Sequence, residues 1–539
     1  MSIKNEIKEK IKLALNKLNI EEENIIIEIP KDKTKGDYST NIAMVLTKKL
    51  GQKPMDTAKQ ILEVLELGDL GVAEIALPGF INFHIDNNYL LSKLNDIIKK
   101  DRDYGKNNTG HGKKVNIEFV SANPTGYLHV GHGRGATYGD NLARIMTFSG
   151  YDITKEYYIN DAGNQMNNLG ISIKERYKEI CGLSCNLPED GYHGKEIIMI
   201  AKDIYEENDN QKLNEDIEYF KQIGLDILMS QIKKVLDEYR VNFDVFTSEK
   251  SLYDRSLVDD TLSKLQKSGK CYIEDGALWL KTTDYGDEKD RVLIKHDGAY
   301  TYLLPDIAYH VNKLDRGFDE LIDVLGSDHH GYINRLKASL EILEKDATKL
   351  DIKILQMVRL IKDGEEVKIS KRTGKTITLT DLIDDLGVNR VRYFFSSKSL
   401  DSQMDFNLSL AASEDMNNPL FYIEYANARI SSILSNYSKE LPQIGTYTTL
   451  NTPQVYTILN KLYEFEDVVV SAATKKLPHL IALYAYDLAT LFHSYYNSEK
   501  IINENDAIYT NERIIFIKAI KIVLNNALQL LGILPRERM

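Results

Sequence analysis

Ser121–Met146 reads SANPTGYLHVGHGRGATYGDNLARIM, and the fold of the chain follows from how this run is parsed. Its first half is rich in glycine and turn formers, and from Ala136 to Phe148 the apolar spacing becomes helical. Just before it, Lys114–Val120 (KVNIEFV) has the short apolar character of a strand, and Ile153–Asn160 (ITKEYYIN) reads as the next one. Strand, glycine-rich loop, helix and strand in that order make a βαβ unit, which predicts a parallel sheet with its ligand at the carboxyl ends of the strands.

His129 and His132, three residues apart, are predicted to share one face at the first turn of that helix. A helix N-terminus offers unpaired N–H groups and a partial positive charge, which favours an anion. Gly131, Gly133 and Gly135 have no side chains to keep a nucleotide's base or phosphates from the backbone. Two imidazoles there could donate to phosphate oxygens as charge develops at phosphorus. A metal would want a third ligand and a nearby carboxylate, and none follows at a suitable spacing. On these residues alone, phosphate, metal and structural readings all stay open.

A second run lies far downstream. Val367–Leu382, VKISKRTGKTITLTDL, clusters Lys368, Lys371 and Arg372 with Ser370 and Gly374 after a strand–turn–strand pattern. Cations on a glycine-bearing loop suit a leaving pyrophosphate, whose charge grows as the bond breaks. A solvated basic hairpin is the plainer alternative.

Taken together, the two runs resemble the HIGH and KMSKS signatures of the class I aminoacyl-tRNA synthetases, with Val130 and Ile369 at the hydrophobic positions. The resemblance narrows to the arginyl-tRNA synthetases. Glu118–Asp140 and Tyr157–Gly170 are similar to that family's active-site segments, and KISKRTGK carries Arg372 where a last serine would stand. Lys35–Met44 (KGDYSTNIAM) and Leu77–Ile85 (LPGFINFHI) resemble its extra N-terminal domain. Asn417–Leu434, Pro478–Asn497 and the terminal RERM resemble its anticodon-binding bundle, so the likeness spans essentially the whole chain. It implies His129, His132, Lys368 and Lys371 as catalytic residues. For ATP it implies Asn123, His129, Gly131, His132, Gly133, Gly135, Ser370 and Lys371, with Mg²⁺ on the phosphates and no resident metal site. The partners implied are L-arginine and arginine tRNA.

Arginine itself sets physical requirements. Its planar guanidinium needs a carboxylate, its methylenes an apolar or aromatic wall, and its amino group polar partners. Positions matching the family's arginine site are Glu118, Asn123, Tyr302, Asp306 and Asp328. Asp306 is the candidate for the guanidinium, with Tyr302 one turn before it as the wall. Glu118 and Asn123 would orient the ligand from the end of the first strand. Asp306 could instead simply cap a helix after Pro305. Asp328 stands in GSDHHGY (Gly326–Tyr332) beside His329 and His330, at a position the family uses for ATP and amino acid contacts.

Around these segments, 539 residues are too many for one core, and the 43% hydrophobic and 27% charged content is that of an ordinary soluble protein. The reading is a class I α/β Rossmann-like catalytic domain with a parallel sheet over 109–400, carrying a helical insertion at about 165–290. An N-terminal α+β tRNA-binding domain (1–108) precedes it, and a C-terminal all-α helical anticodon-binding bundle (401–539) follows. The first twenty residues mix Glu6 and Glu9 with an apolar stripe of Ile3, Ile7, Ile11, Leu15 and Leu18, which is a folded start rather than a targeting peptide. No window approaches a membrane span. A cytoplasmic monomer is therefore expected, with free thiols at Cys181, Cys185 and Cys271. The net charge of −12 does not suggest nucleic acid, although a basic groove can sit on an acidic body.

Overall fold

The computed structural model describes residues 2–30, 32–327, 331–367, 377–437 and 440–539. The chain forms two compact units, each assembled from distant stretches.

One unit joins residues 1–107 with 415–530 and 534–539. Helix Ile3–Lys17 is capped by Ser2, whose hydroxyl accepts from the Asn5 N–H, and it buries Ile3, Ile7, Ile11 and Leu15 as their spacing predicts. Gly71–Ala76 and Phe80–Ile85 form an antiparallel hairpin, and Tyr38–Thr40 adds the third strand. Asn24–Pro30 also reads as a strand in sequence, yet it contributes a single bridge, Glu28 to Ser39. Pro30 lacks an N–H for a ladder, and the Thr40 hydroxyl occupies the Ile26 carbonyl at 2.7 Å. Helices Pro419–Tyr437, Pro453–Thr474, His479–Ser498 and Ala507–Leu530 pack as a bundle, with Ile481, Tyr484, Leu488 and Tyr495 buried. Tyr104 from the N-terminal part stacks on Phe465 of the bundle, and its hydroxyl donates to the Leu462 carbonyl.

The other unit comprises residues 108–414 and 531–533. Among the described residues it holds a five-stranded parallel sheet: β1 (Lys114–Glu118), β2 (Asp152–Ile159), β3 (Val245–Ser248), β4 (Glu320–Gly326) and β5 (Leu350–Leu355). The spatial order is β5-β4-β1-β2-β3, every neighbouring pair parallel. Helix α1 (Val130–Phe148) crosses from β1 to β2, as the opening run predicts. The stretch expected as one insertion at about 165–290 is interrupted. Helices Asn164–Ile180, Lys195–Asn208 and Ile217–Glu238 share a core of their own, but β3 then returns to the main sheet. Four residues are too short for a periodicity reading to register a strand. A small antiparallel sheet (Cys271–Glu274, Ala277–Leu280, Arg291–Ile294) follows before helix α2 (Leu303–Asp315). Met404–Asn407 is a strand parallel to Val358–Lys362, so the all-helical part begins after it.

Arg392 ties this unit together. Fully buried, it donates to Asp140 (2.6 Å) and Asn141 (2.7 Å) on α1, to the Tyr239 carbonyl (3.0 Å) and to the Leu531 carbonyl (2.9 Å). Residues 531–533 are thereby part of the core that carries α1, and position 532 needs glycine twice over, since its φ is +66° and a Cβ there would strike the Arg392 guanidinium.

Candidate active site

The sheet order reverses at β1: the chain leaves β1 toward β2 on one side and returns from β3 to β4 on the other. Ligands of open α/β sheets bind outside the carboxyl ends of the strands at such a point. A cavity of about 770 Å³ opens there, lined at one side by the glycine–histidine loop and at the other by acids. Immediately after β1, Val120 and Ser121 have φ of 68° and 35°, a conformation that costs side-chain-bearing residues about 1–3 kcal/mol each. The Ser121 hydroxyl offsets part of it, donating to Glu118 at 2.9 Å and accepting from the Tyr158 N–H at 3.1 Å.

His129 is the N-cap of α1 rather than a member of its first turn. Its Nδ1 accepts from the Gly131 N–H at 3.1 Å, and Nδ1 of His132 accepts from the His129 N–H at 3.2 Å. The two rings stack with centroids 3.7 Å apart. Loss of solvation lowers both pKa values, that of His132 to about 3 with a further contribution from His129, so both rings are neutral at pH 7. With each Nδ1 already accepting, the remaining proton sits on Nε2, which makes both imidazoles hydrogen-bond donors without making them cations. Gly131 and Gly135 line the cavity; Gly133 faces the opposite way, where a Cβ would lie 2.7 Å from Leu379 Cδ1. Gly133 thus gives room to Leu379 and Phe395 on the side away from the cavity.

Lys368, Ser370 and Lys371, and Asp328 with its neighbouring histidines, lie outside the described residues. The stretch that follows the lysine run is described: Thr378 bridges to His129, and the Leu379 N–H donates to the Leu128 carbonyl at 2.8 Å. Residues 249 and 251 positions apart in sequence are thereby joined at the histidines.

The acidic side is organised by α2. Tyr302 at its N-cap is 70% exposed at the cavity, and Asp306 opens into the same space. Asp306, His310 and Lys313 fall on one face of α2 by their spacing. Across the sheet, Asp323 (β4), Glu118 (β1) and Glu156 (β2) stand at one register level, a row of like charges that needs cations between them. Lys313, with no exposed surface, pairs with both Glu118 and Asp323 (2.8 Å to the latter), and Arg316 reaches Glu156 at 2.6 Å. The other Asp323 oxygen meets His310 Nε2 at 2.6 Å. Burial would raise the Asp323 pKa, but Lys313 and His310 hold it well below the usual range. Glu118 lines the cavity, and its carboxylate also meets Lys313 and Ser121. Asn123 is exposed at the rim, where its amide donates to Gln165 at 2.8 Å.

Among the described residues, Asp306 and Glu249 have no such partners. Burial raises Asp306, whose hydrogen bond is from Tyr332. Glu249, buried at the first position of the helix after β3, is pushed up to about 7 by burial and by Asp306 and Asp161, against a hydrogen bond from Tyr158. Glu249, Lys313 and Asp323 were not foreseen from the sequence. A lone Glu after a four-residue strand, and a Lys inside a helical pattern, carry no local signal. Among the described residues no group of three His, Cys, Asp or Glu side chains is placed to hold a metal ion.

Residues 93–412 match the family of class I (R) tRNA synthetase catalytic domains. Residues 3–85 match the arginyl-tRNA synthetase N-terminal domain and 423–539 the DALR anticodon-binding domain. The chain is 46% identical to the arginine–tRNA ligase of Bacillus subtilis, covering 100% of this chain and 99% of that one. It is also 46% identical to that of Listeria monocytogenes serotype 4a, over 99% and 98% of the two chains. Its fold superposes on Thermus thermophilus arginyl-tRNA synthetase with a TM-score of 0.78 at 21% identity, over 99% of this chain and 100% of that one.

Proposed function

The chain belongs to the arginyl-tRNA synthetases, and from that premise we propose how its site divides the work. L-arginine and ATP react to arginyl-adenylate and pyrophosphate, and the 2′-hydroxyl of the terminal adenosine of arginine tRNA then takes the arginyl group, releasing AMP. The arginine carboxylate is the nucleophile at the α-phosphorus, so no covalent enzyme intermediate is required. Positioning and charge stabilisation carry the rate.

The observation that carries the reading is one cavity with two chemistries: neutral, Nε2-protonated histidines on one side and, on the other, two carboxylates that have no cationic partner among the described residues. His129 and His132 donate to the phosphates, and being neutral they bind polyphosphate without trapping the product as fixed cations would. Lys368 and Lys371 supply the positive charge for the leaving pyrophosphate, with Ser370 beside them. Mg²⁺ arrives on the phosphates as part of the nucleotide substrate, where it neutralises charge. Gly131 and Gly135 give the nucleotide room. Asp306 and Glu249 receive the guanidinium, Tyr302 covers the methylenes, and Asn123 orients the polar end of the amino acid.

For the tRNA, the bundle offers an aromatic surface in which the Arg429 guanidinium lies 4.5 Å from the Tyr425 ring and 4.3 Å from the Tyr496 ring, with Tyr486 40% exposed. Rings and a guanidinium plane of this kind stack unpaired bases. The N-terminal residues 1–108 are read as a second tRNA contact, 109–400 as the catalytic part and 401–539 as the anticodon-binding part. No helix among the described residues is long and apolar enough to cross a membrane, and the reading takes a cytoplasmic monomer.

Arginine-dependent ATP–pyrophosphate exchange, run with and without arginine tRNA, tests this. Exchange with arginine is expected, and none under either condition refutes it. Lys371→Ala should cut exchange by about 10²-fold or more while tRNA affinity changes little; equal losses in both would mean that the lysine run holds tRNA instead.

A further inference from the structure

The cavity contains more carboxylates than one arginine can use. Glu118, Asp323, Asp306 and Glu249 all line it, whereas the substrate brings one guanidinium and one ammonium. Cations of the protein divide these acids into two sets. Lys313 sits between Glu118 and Asp323, and His310 closes on the second Asp323 oxygen. Tyr332 and Tyr158 face Asp306 and Glu249 instead, with Asp161 as a further acid near Glu249. Among the described residues no lysine, arginine or histidine closes an ion pair with either of these two acids.

We propose that Lys313, helped by His310, is a specificity-determining positioning residue: it cancels Glu118 and Asp323 inside the protein and so reserves Asp306 and Glu249 for the cationic groups of arginine. The inference rests on the arginine-activating reading of this same cavity. Geometry supports it in two ways. Asp306, His310 and Lys313 occupy one face of α2, so the turn that seats Lys313 between β1 and β4 also fixes where Asp306 stands. Lys313 is also the member of the set that touches two strands, since Glu118 and Asp323 are register partners.

Removing the ammonium leaves Glu118 with only the Ser121 hydroxyl and Asp323 with only His310, so negative charge builds up beside Asp306 and Glu249. Both then hold protons more tightly, because nearby negative charge disfavours another anion. Arginine would have to displace those protons, so the defect should be large at acid pH and fade toward alkaline pH. Tyr309, Tyr332 and Tyr158 also face these groups, but burial keeps their phenols protonated throughout this range.

The test uses the full chain with arginine tRNA and ATP–pyrophosphate exchange from pH 6 to 8.5, each variant compared with wild type at the same pH. Lys313→Met is expected to lower kcat/KM for arginine by about tenfold or more at pH 6 and by less than about threefold at pH 8.5, with KM for ATP unchanged. Lys313→Arg, which keeps the charge, should retain the wild-type pH profile. A loss of equal size at every pH, or one shared by KM for ATP, would overturn the proposal and leave Lys313 a purely structural ion. If Lys313→Met does not fold, His310→Gln is expected to move the profile in the same direction by a smaller amount, and an unmoved profile there overturns the proposal equally. Failure of the unaltered chain to show arginine-dependent exchange would instead strike the functional reading, so the two failures are distinct.

Discussion

Glu249 illustrates how a single carboxyl can work against the stability of its own fold. Its pKa is raised to about 7, so between the ordinary value of 4.5 and 7 the folded protein binds a proton that the unfolded chain has released. Stability from this group therefore falls as pH rises through that window. Glu249→Gln should raise stability at pH 8 by about 1–3 kcal/mol in chemical denaturation while sharply weakening arginine binding. Unchanged stability would mean that the carboxylate is compensated in solution. His132 has the opposite linkage. Its folded pKa is depressed to about 3, so its neutral form contributes fully above about 6.5 and that contribution is lost as pH falls from there toward 3. Consequently the acid limb of arginine activation near pH 7 should vanish in Glu249→Gln and survive in His132→Gln, even though the latter is slow.

At the scale of elements, α1 owes its position to close approach. A Cβ on Gly139 would lie 2.2 Å from the Phe119 ring, at the end of β1. Gly139→Ala is expected to cost about 1–3 kcal/mol by overpacking and to displace the histidines at the head of α1. Thermal denaturation and KM for ATP read the two effects. The elements that sequence revealed were those whose evidence is local: β1, the loop, α1 and β2 lie consecutively, and the histidine pair announces itself by spacing. Tyr302 and Asp306 became legible through family resemblance and one helical turn. What stayed hidden depends on pairing between distant strands. Glu118 is spoken for by Lys313 only because β1 and β4 are adjacent in register, a fact that lies in no window of sequence. β3 escaped because four residues cannot show a period, and Glu249 escaped with it. Gly133 shows the same limit, because a glycine's missing side chain does not say which neighbour needs the room; on one side here it is Leu379.

For the molecule as a whole, the discontinuous make-up of the two units has a consequence in time. Residues 1–107 pack with 415–530, and Tyr104 is buried against Phe465 of the later stretch. About 300 residues must be synthesised between them, a wait of roughly 15–60 s at 5–20 residues per second. During that interval the N-terminal stretch carries an uncovered apolar face. A chain ending at Glu414 should accordingly be cut rapidly by protease within its first 107 residues, and protection there in such a fragment would refute the interdependence. The catalytic unit waits longer still: the Arg392 guanidinium finds the Leu531 carbonyl only after the whole bundle has been made. A nascent chain can thus assemble its sheet early, but α1 gains its last anchor near the end of translation. The enzyme's own birth is timed by the ribosome it serves.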